Sequence, residues 1–152
     1  MTDPARWLSA DDVELDVRLA DKRTSLATLA RRLAARRGGS SQEVLDALWD
    51  RETLGSTGVG HGVALPHARL AGLSEPIGAL LRLHRAIDFD APDGKPVDLI
   101  LGLLLPRGEP QRQLDFLARI AGLLADARFR EQLARAGRAE TVAKLLERGS
   151  GL

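Results

Sequence analysis

Three histidines and no cysteine limit the side chains with which this chain could do nucleophilic chemistry. Two of the histidines, His61 and His67, stand six residues apart in the stretch GVGHGVALPH, residues 58–67. A neutral imidazole, the main form at pH 7 for a ring with an ordinary pKa near 6.5, has one nitrogen lone pair free to attack. Pro66 fixes its own φ and has no N–H, so a strand through Val63, Ala64 and Leu65 ends there. His67 is then delivered at a strand edge or end, where a scaffold exposes a reactive side chain. Just upstream, the loop from Leu54 to Gly60, with Ser56, Thr57 and Gly58 at its centre, offers two hydroxyls and unencumbered backbone N–H groups, and Arg51 offers a fixed positive charge. This set suits a histidine whose phosphorylated form, carrying roughly two negative charges, is held by neighbouring donors. Catalysis there would be mostly positioning and electrostatics.

The same residues carry plainer readings. On spacing alone, His67 is more readily a turn histidine than a nucleophile. The glycines serve a tight turn as well as they serve an anion. Arg51 equally suits the C-terminal end of a helix dipole. His61, flanked by glycines, reads as a loop residue near the site and His84 as a surface residue at a strand end. An H-x5-H spacing matches no standard zinc pattern, and a third ligand would have to be His84 or a carboxylate, so no metal is expected. Neither GxGxxG nor GxxxxGK[ST] is spelled, so nothing supports ATP, NAD or another cofactor.

The elements that position these residues follow from periodicity. Leu26, Leu29, Ala30 and Leu33 predict a helix over Lys22 to Arg37, stopped by Gly38-Gly39. Ser40 or Ser41 caps a second helix over Gln42 to Arg51 that buries Val44, Leu45 and Leu48. Gly55 to Gly62 is too rich in glycine for a helix and reads as loop. Ile77 to His84 and Val97 to Leu105 read as strands, the second apolar enough to be covered on both faces. Pro92, Asp93-Gly94 and Pro96 make the segment between them a turn-rich connector. A helix from about Glu109 to Asp126 follows, with Leu114, Leu117, Ala118, Ala121 and Leu124 on one face, then shorter helices near Arg128 to Arg135 and Ala139 to Arg148. Helices on both sides of buried strands predict an α/β layered architecture.

A chain of 152 residues, 44% hydrophobic and 28% charged, is the size of one globular domain, here residues 1–152. Its 22 basic and 21 acidic residues nearly cancel and alternate finely, and only three Phe, two Trp and no Tyr are available for stacking. Nucleic acid is therefore not an expected partner. The absence of cysteine excludes disulfides and thiolate chemistry. The longest apolar run, Leu99 to Leu105, is seven residues against the roughly 20 that span a bilayer. The start, MTDPARWLSADD, has acids where a signal peptide would have its apolar core. No membrane insertion is expected, and the chain reads as cytoplasmic.

The stretch RETLGSTGVGHGVALPH, Arg51 to His67, resembles the active-site signature of the enzyme IIA domains of the bacterial phosphoenolpyruvate-dependent phosphotransferase system, fructose/mannitol class. The form GSTG-x-G-x-G-[hydrophobic]-A-[hydrophobic]-P-H is most like the nitrogen-regulatory branch. The stretch IDFDAPDGKPVDLI, Ile87 to Ile100, followed by LLLP at Leu103 to Pro106, is similar to that branch too. The resemblance covers about Asp11 to Arg148. It implies a mixed β-sheet layered between helices. It also implies a phosphotransferase that accepts phosphate on His67 from a histidine-containing phosphocarrier protein, with Arg51 near the phosphorylated ring. The phosphate would then pass to, or signal towards, a regulatory target protein or a permease domain. The regulatory reading is preferred, because the chain shows no membrane segment and no second domain. A sugar-specific enzyme IIA for fructose or mannitol, and a binding module that has lost phosphotransfer, stand as alternatives. Many relatives carry a second active-site histidine on the helix after LLLP. That place is Gln113 here, a side chain that can donate a hydrogen bond to a phosphoryl oxygen but cannot become cationic or trade protons.

Overall fold

Asp21 sets the start of the first helix. Its carboxylate accepts the Thr24 N–H at 2.8 Å, and the Asp21 N–H donates back to the Thr24 hydroxyl at 3.3 Å. Helix α1 then runs over Lys22–Arg37, as the periodicity predicts, and Gly38 ends it at φ 91°. The Ser40 hydroxyl accepts the N–H groups of Gln42 and Glu43, and α2 occupies Ser41–Thr53, one residue earlier and two later than expected. The computed structural model describes residues 6–151, so part of the N-terminal stretch MTDPARWLSADD, which does not read as a signal peptide, lies outside the described residues.

The strands are β1 (Val13–Val17), β2 (Gly58–Gly60), β3 (Val63–Ala64), β4 (His67–Leu70), β5 (Ile77–Ile87) and β6 (Val97–Pro106). They form one mixed sheet in the order β1-β5-β6-β3-β2, with β4 pairing β6 beyond β3. β1 runs parallel to β5, β5 antiparallel to β6, and β3 and β4 both parallel to β6. Part of the segment expected to be loop is thus strand. Gly58 and Gly60 pair antiparallel with Ala64 and Val63, and His61 at φ 58° and Gly62 at φ 80° make the turn between them. β1 is a further strand beyond those expected, although Val13, Leu15 and Val17 alternate there with acids.

Alternation along β6 builds two cores. Ile100 and Leu104 pack toward α1 and α2, whereas Leu99, Leu101, Leu103 and Leu105 pack toward the C-terminal helices. Gly102 lets α1 approach closely, since a Cβ there would meet the Leu29 methyl groups at 3.1 and 3.2 Å. The C-terminal layer consists of α3 (Pro110–Ala125), α4 (Ala127–Arg135) and α5 (Ala139–Ser150). Within α3 the expected face is rotated. Gln113, Phe116, Ile120 and Leu124 are buried, Leu117 and Ala121 half-buried, and Leu114 and Ala118 exposed. Two apolar stripes overlap on this helix, and the one containing the large Phe116 and Ile120 takes the core even though it brings a glutamine with it. Among the described residues no helix is long and apolar enough to cross a membrane.

Candidate active site

His67 opens β4, an edge strand that follows the break at Leu65 and Pro66. Ala68 and Leu70 belong to the core under α1 and α2, so strand alternation places His67 and Arg69 on the opposite side. The ring is half-buried, and its Nδ1 lies 2.8 Å from the Leu65 carbonyl oxygen. A carbonyl can only accept, so Nδ1 carries the proton and Nε2 keeps the lone pair. Burial pushes the imidazole pKa below its ordinary value. The bond to Leu65 raises it, the Arg51 charge lowers it and the Glu52 charge raises it. The net lowering keeps the ring neutral at pH 7, as a nucleophile requires.

Arg51 lies in the last turn of α2, half-buried, with Nη1 donating to the Gly55 carbonyl at 2.9 Å. It therefore closes the helix C-terminus and also acts electrostatically on His67. The three neighbours expected to offer free donors are engaged within the chain. The Ser56 hydroxyl donates to the Phe89 carbonyl at 2.8 Å and accepts the Gly58 N–H at 3.0 Å. The N–H and hydroxyl of buried Thr57 both donate to the Glu52 carboxylate, at 2.9 and 2.8 Å to Oε1. The expectation of unencumbered donors is thus corrected at Ser56, Thr57 and Gly58, whose groups hold the loop together.

Gln113 sits in the first turn of α3, only 2 % exposed. Its Nε2 donates to the Gly108 carbonyl at 3.3 Å, while Oε1 is buried with no partner. The Gly108 oxygen requires a donor opposite it, which fixes the amide this way round, so only the second Nε2 hydrogen is left for any further acceptor. His61 is exposed at the hairpin tip, its N–H held by the Asp93 carboxylate at 2.9 Å, and His84 pairs on the surface with Asp16 at 2.7 Å. Among the described residues no group of three or more His, Cys, Asp or Glu could hold a metal ion.

Glu52 escapes a reading by motif, yet it left a signal. A carboxylate in the last turn of a helix opposes the dipole, as does a lysine in the first turn, and Lys22 opens α1. The two misplaced charges find each other: Lys22 Nζ lies 3.4 Å from Glu52 Oε1, and it also reaches the Phe89 carbonyl and Asp90 Oδ2, both at 3.3 Å.

Fold and site together define a small α/β protein that presents one neutral imidazole at a sheet edge beside a fixed guanidinium. The family described as phosphoenolpyruvate-dependent sugar phosphotransferase system, EIIA 2, matches residues 6–149. A nitrogen regulatory protein from Pseudomonas aeruginosa is 43% identical over 106 residues, covering 70% of this chain and 69% of that protein. The crystal structure of nitrogen regulatory protein IIA-Ntr from Neisseria meningitidis superposes with a TM-score of 0.88 at 37% identity, covering 92% of this chain and 96% of that one. IIA mannitol from Escherichia coli, at 21% identity and a TM-score of 0.72 over 91% of this chain and 98% of that one, shares the fold. The chain belongs to the EIIA 2 family of the phosphotransferase system, whose members are phosphotransfer carriers.

Proposed function

We propose that this chain is a regulatory enzyme IIA of the nitrogen-regulatory type, working in the cytoplasm and accepting a phosphoryl group on His67 Nε2 from the phosphohistidine of a small phosphocarrier protein. The observation that carries this reading is the 2.8 Å contact of His67 Nδ1 with the Leu65 carbonyl, which leaves Nε2 as the nitrogen with a lone pair on an edge strand. The Nε2 lone pair attacks phosphorus, and the new N–P bond forms as the donor's N–P bond breaks. The departing pair stays on the donor ring, which leaves as a neutral imidazole. Arg51 offers its remaining guanidinium N–H groups to the transferring oxygens, a stabilisation that grows with the charge there. The Nδ1–H bond to Leu65 steadies the positive charge that the ring takes on when Nε2 is phosphorylated. The nitrogen-regulatory relatives favour a target protein that reads the phosphorylation state over a sugar permease.

Incubation with phosphoenolpyruvate, enzyme I and the phosphocarrier protein, followed by intact-mass measurement, tests the reading. One acid-labile phosphoryl group is expected on the wild type and none on His67→Ala. Arg51→Ala is expected to slow the gain roughly 100-fold, and Arg51→Lys, which keeps the charge but not the fork, by less. A wild-type mass that never moves overturns the carrier reading in favour of a binding module.

A further inference from the structure

The buried carboxylate of Glu52 is linked to His67 through two residues, Thr57 and Leu65, each anchored by hydrogen bonds on both sides. Glu52, its side chain 2 % exposed, accepts both the N–H and the hydroxyl of Thr57. The Thr57 carbonyl in turn accepts the Leu65 N–H at 2.9 Å, and the Leu65 carbonyl accepts the His67 Nδ1–H at 2.8 Å. Two residues, Thr57 and Leu65, each held through both its N–H and its C=O, thus stand between the carboxylate and the ring. We infer that Glu52, neutralised by Lys22, is a positioning residue that holds the His67 ring in its Nδ1–H form and in its orientation through Thr57 and Leu65. This inference rests on the carrier reading of His67 and adds to it a group that sets how the Leu65 carbonyl meets the ring.

The physical case has two parts. A carboxylate is the strongest uncharged-donor acceptor available to an interior N–H and hydroxyl, so Thr57 has one low-energy arrangement, and its carbonyl direction is set with it. The charges around the ring come from one helix: Arg51 and Glu52 of α2, acting in opposite senses. Around Glu52 stand Lys22 of α1 and Thr57, and Asp90 faces Lys22 from the far side. Removing the Glu52 charge alone therefore leaves Arg51 unopposed at the ring.

Imidazole ¹⁵N chemical shifts of His67, followed through a pH titration of the full chain, test this without any phosphoryl donor. In Glu52→Gln the titration midpoint is expected to fall by about 0.5 pH unit and the Nδ1–H form to lose its dominance. Should Glu52→Gln not fold, Thr57→Val and Thr57→Ser give the same test: the valine shifts the tautomer ratio and the serine, which keeps the hydroxyl, restores it. Unchanged ring shifts in the folded Glu52 variant, or equal shifts in the valine and serine chains, overturn the inference. Wild-type chain that takes up no phosphate while the ring still answers to Glu52 overturns the carrier reading and supports the positioning role.

Discussion

At His67 the same burial that favours a neutral nucleophile has a cost in acid. Above a pH of about 6.5 the ring is neutral in both the folded and the unfolded chain and contributes nothing to the pH dependence. Below it the unfolded ring takes a proton that the folded ring, with its lowered pKa, still refuses. The unfolded state then binds more protons, so stability falls as pH falls, and the loss is complete once pH passes the folded value. Urea unfolding at pH 7.5 and pH 5 should therefore show a larger loss for the wild type than for His67→Ala. The acid limb of phosphoryl uptake should have its midpoint below 6.5 for the same reason. Gln113 makes a second prediction at this scale. Its buried, unpartnered Oε1 disfavours the fold, so Gln113→Leu should leave stability unchanged or raise it by about 1 kcal/mol in denaturant unfolding. A phosphohistidine lifetime shortened in that same variant would assign the second Nε2 hydrogen to the phosphoryl group.

The element that matters most is the short hairpin of β2 and β3, which leads into His67 and which its glycines disguise. A residue-by-residue tally of glycine predicts loop, and pairing with β3 overrides it because a strand three residues long is set by its neighbours rather than by propensity. Gly58 is needed there for space: a Cβ would stand 2.9 Å from Ala91 Cβ and 3.0 Å from Ala91 Cα. Gly58→Ala should cost roughly 1–3 kcal/mol in chemical denaturation, and Ala91→Gly in the same chain should recover part of it, the Ala91 Cα being still close. The long helices and central strands were legible because their apolar periods agree with their burial. The α1 bounds, for instance, coincide with its caps. The buried face of α3 was not, since counting only apolar residues discards Gln113 from the stripe it shares with Phe116. Likewise His67, Arg51 and the loop could be named from residue types, but Glu52 and Lys22 announce themselves only as charges at the wrong ends of their helices.

Over the whole molecule, the two cores leave few large apolar side chains in water, and their places bear on the partner. Among the described residues the exposed ones are Leu54, Val59 and Leu114, at 83%, 44% and 51%. Leu54 follows α2 directly, Val59 is the outward residue of β2, and Leu114 adjoins Gln113 in the first turn of α3, so all three lie on the elements that build the site. With a net charge of +1 the chain has little long-range pull on a partner, and short-range apolar contact has to supply the docking energy. A transient carrier needs only a small patch, below about 1,200 Å² in total. Leu54→Asp and Val59→Asp should each raise the KM for the phosphorylated carrier by roughly tenfold, leaving the saturated rate and the melting temperature near the wild-type values, because the contact is made equally in ground and transition states. Stopped reactions sampled by intact mass across a range of carrier concentrations check this. If both variants match the wild type at every concentration, the carrier docks on a different face and reaches His67 without touching the loop that frames it.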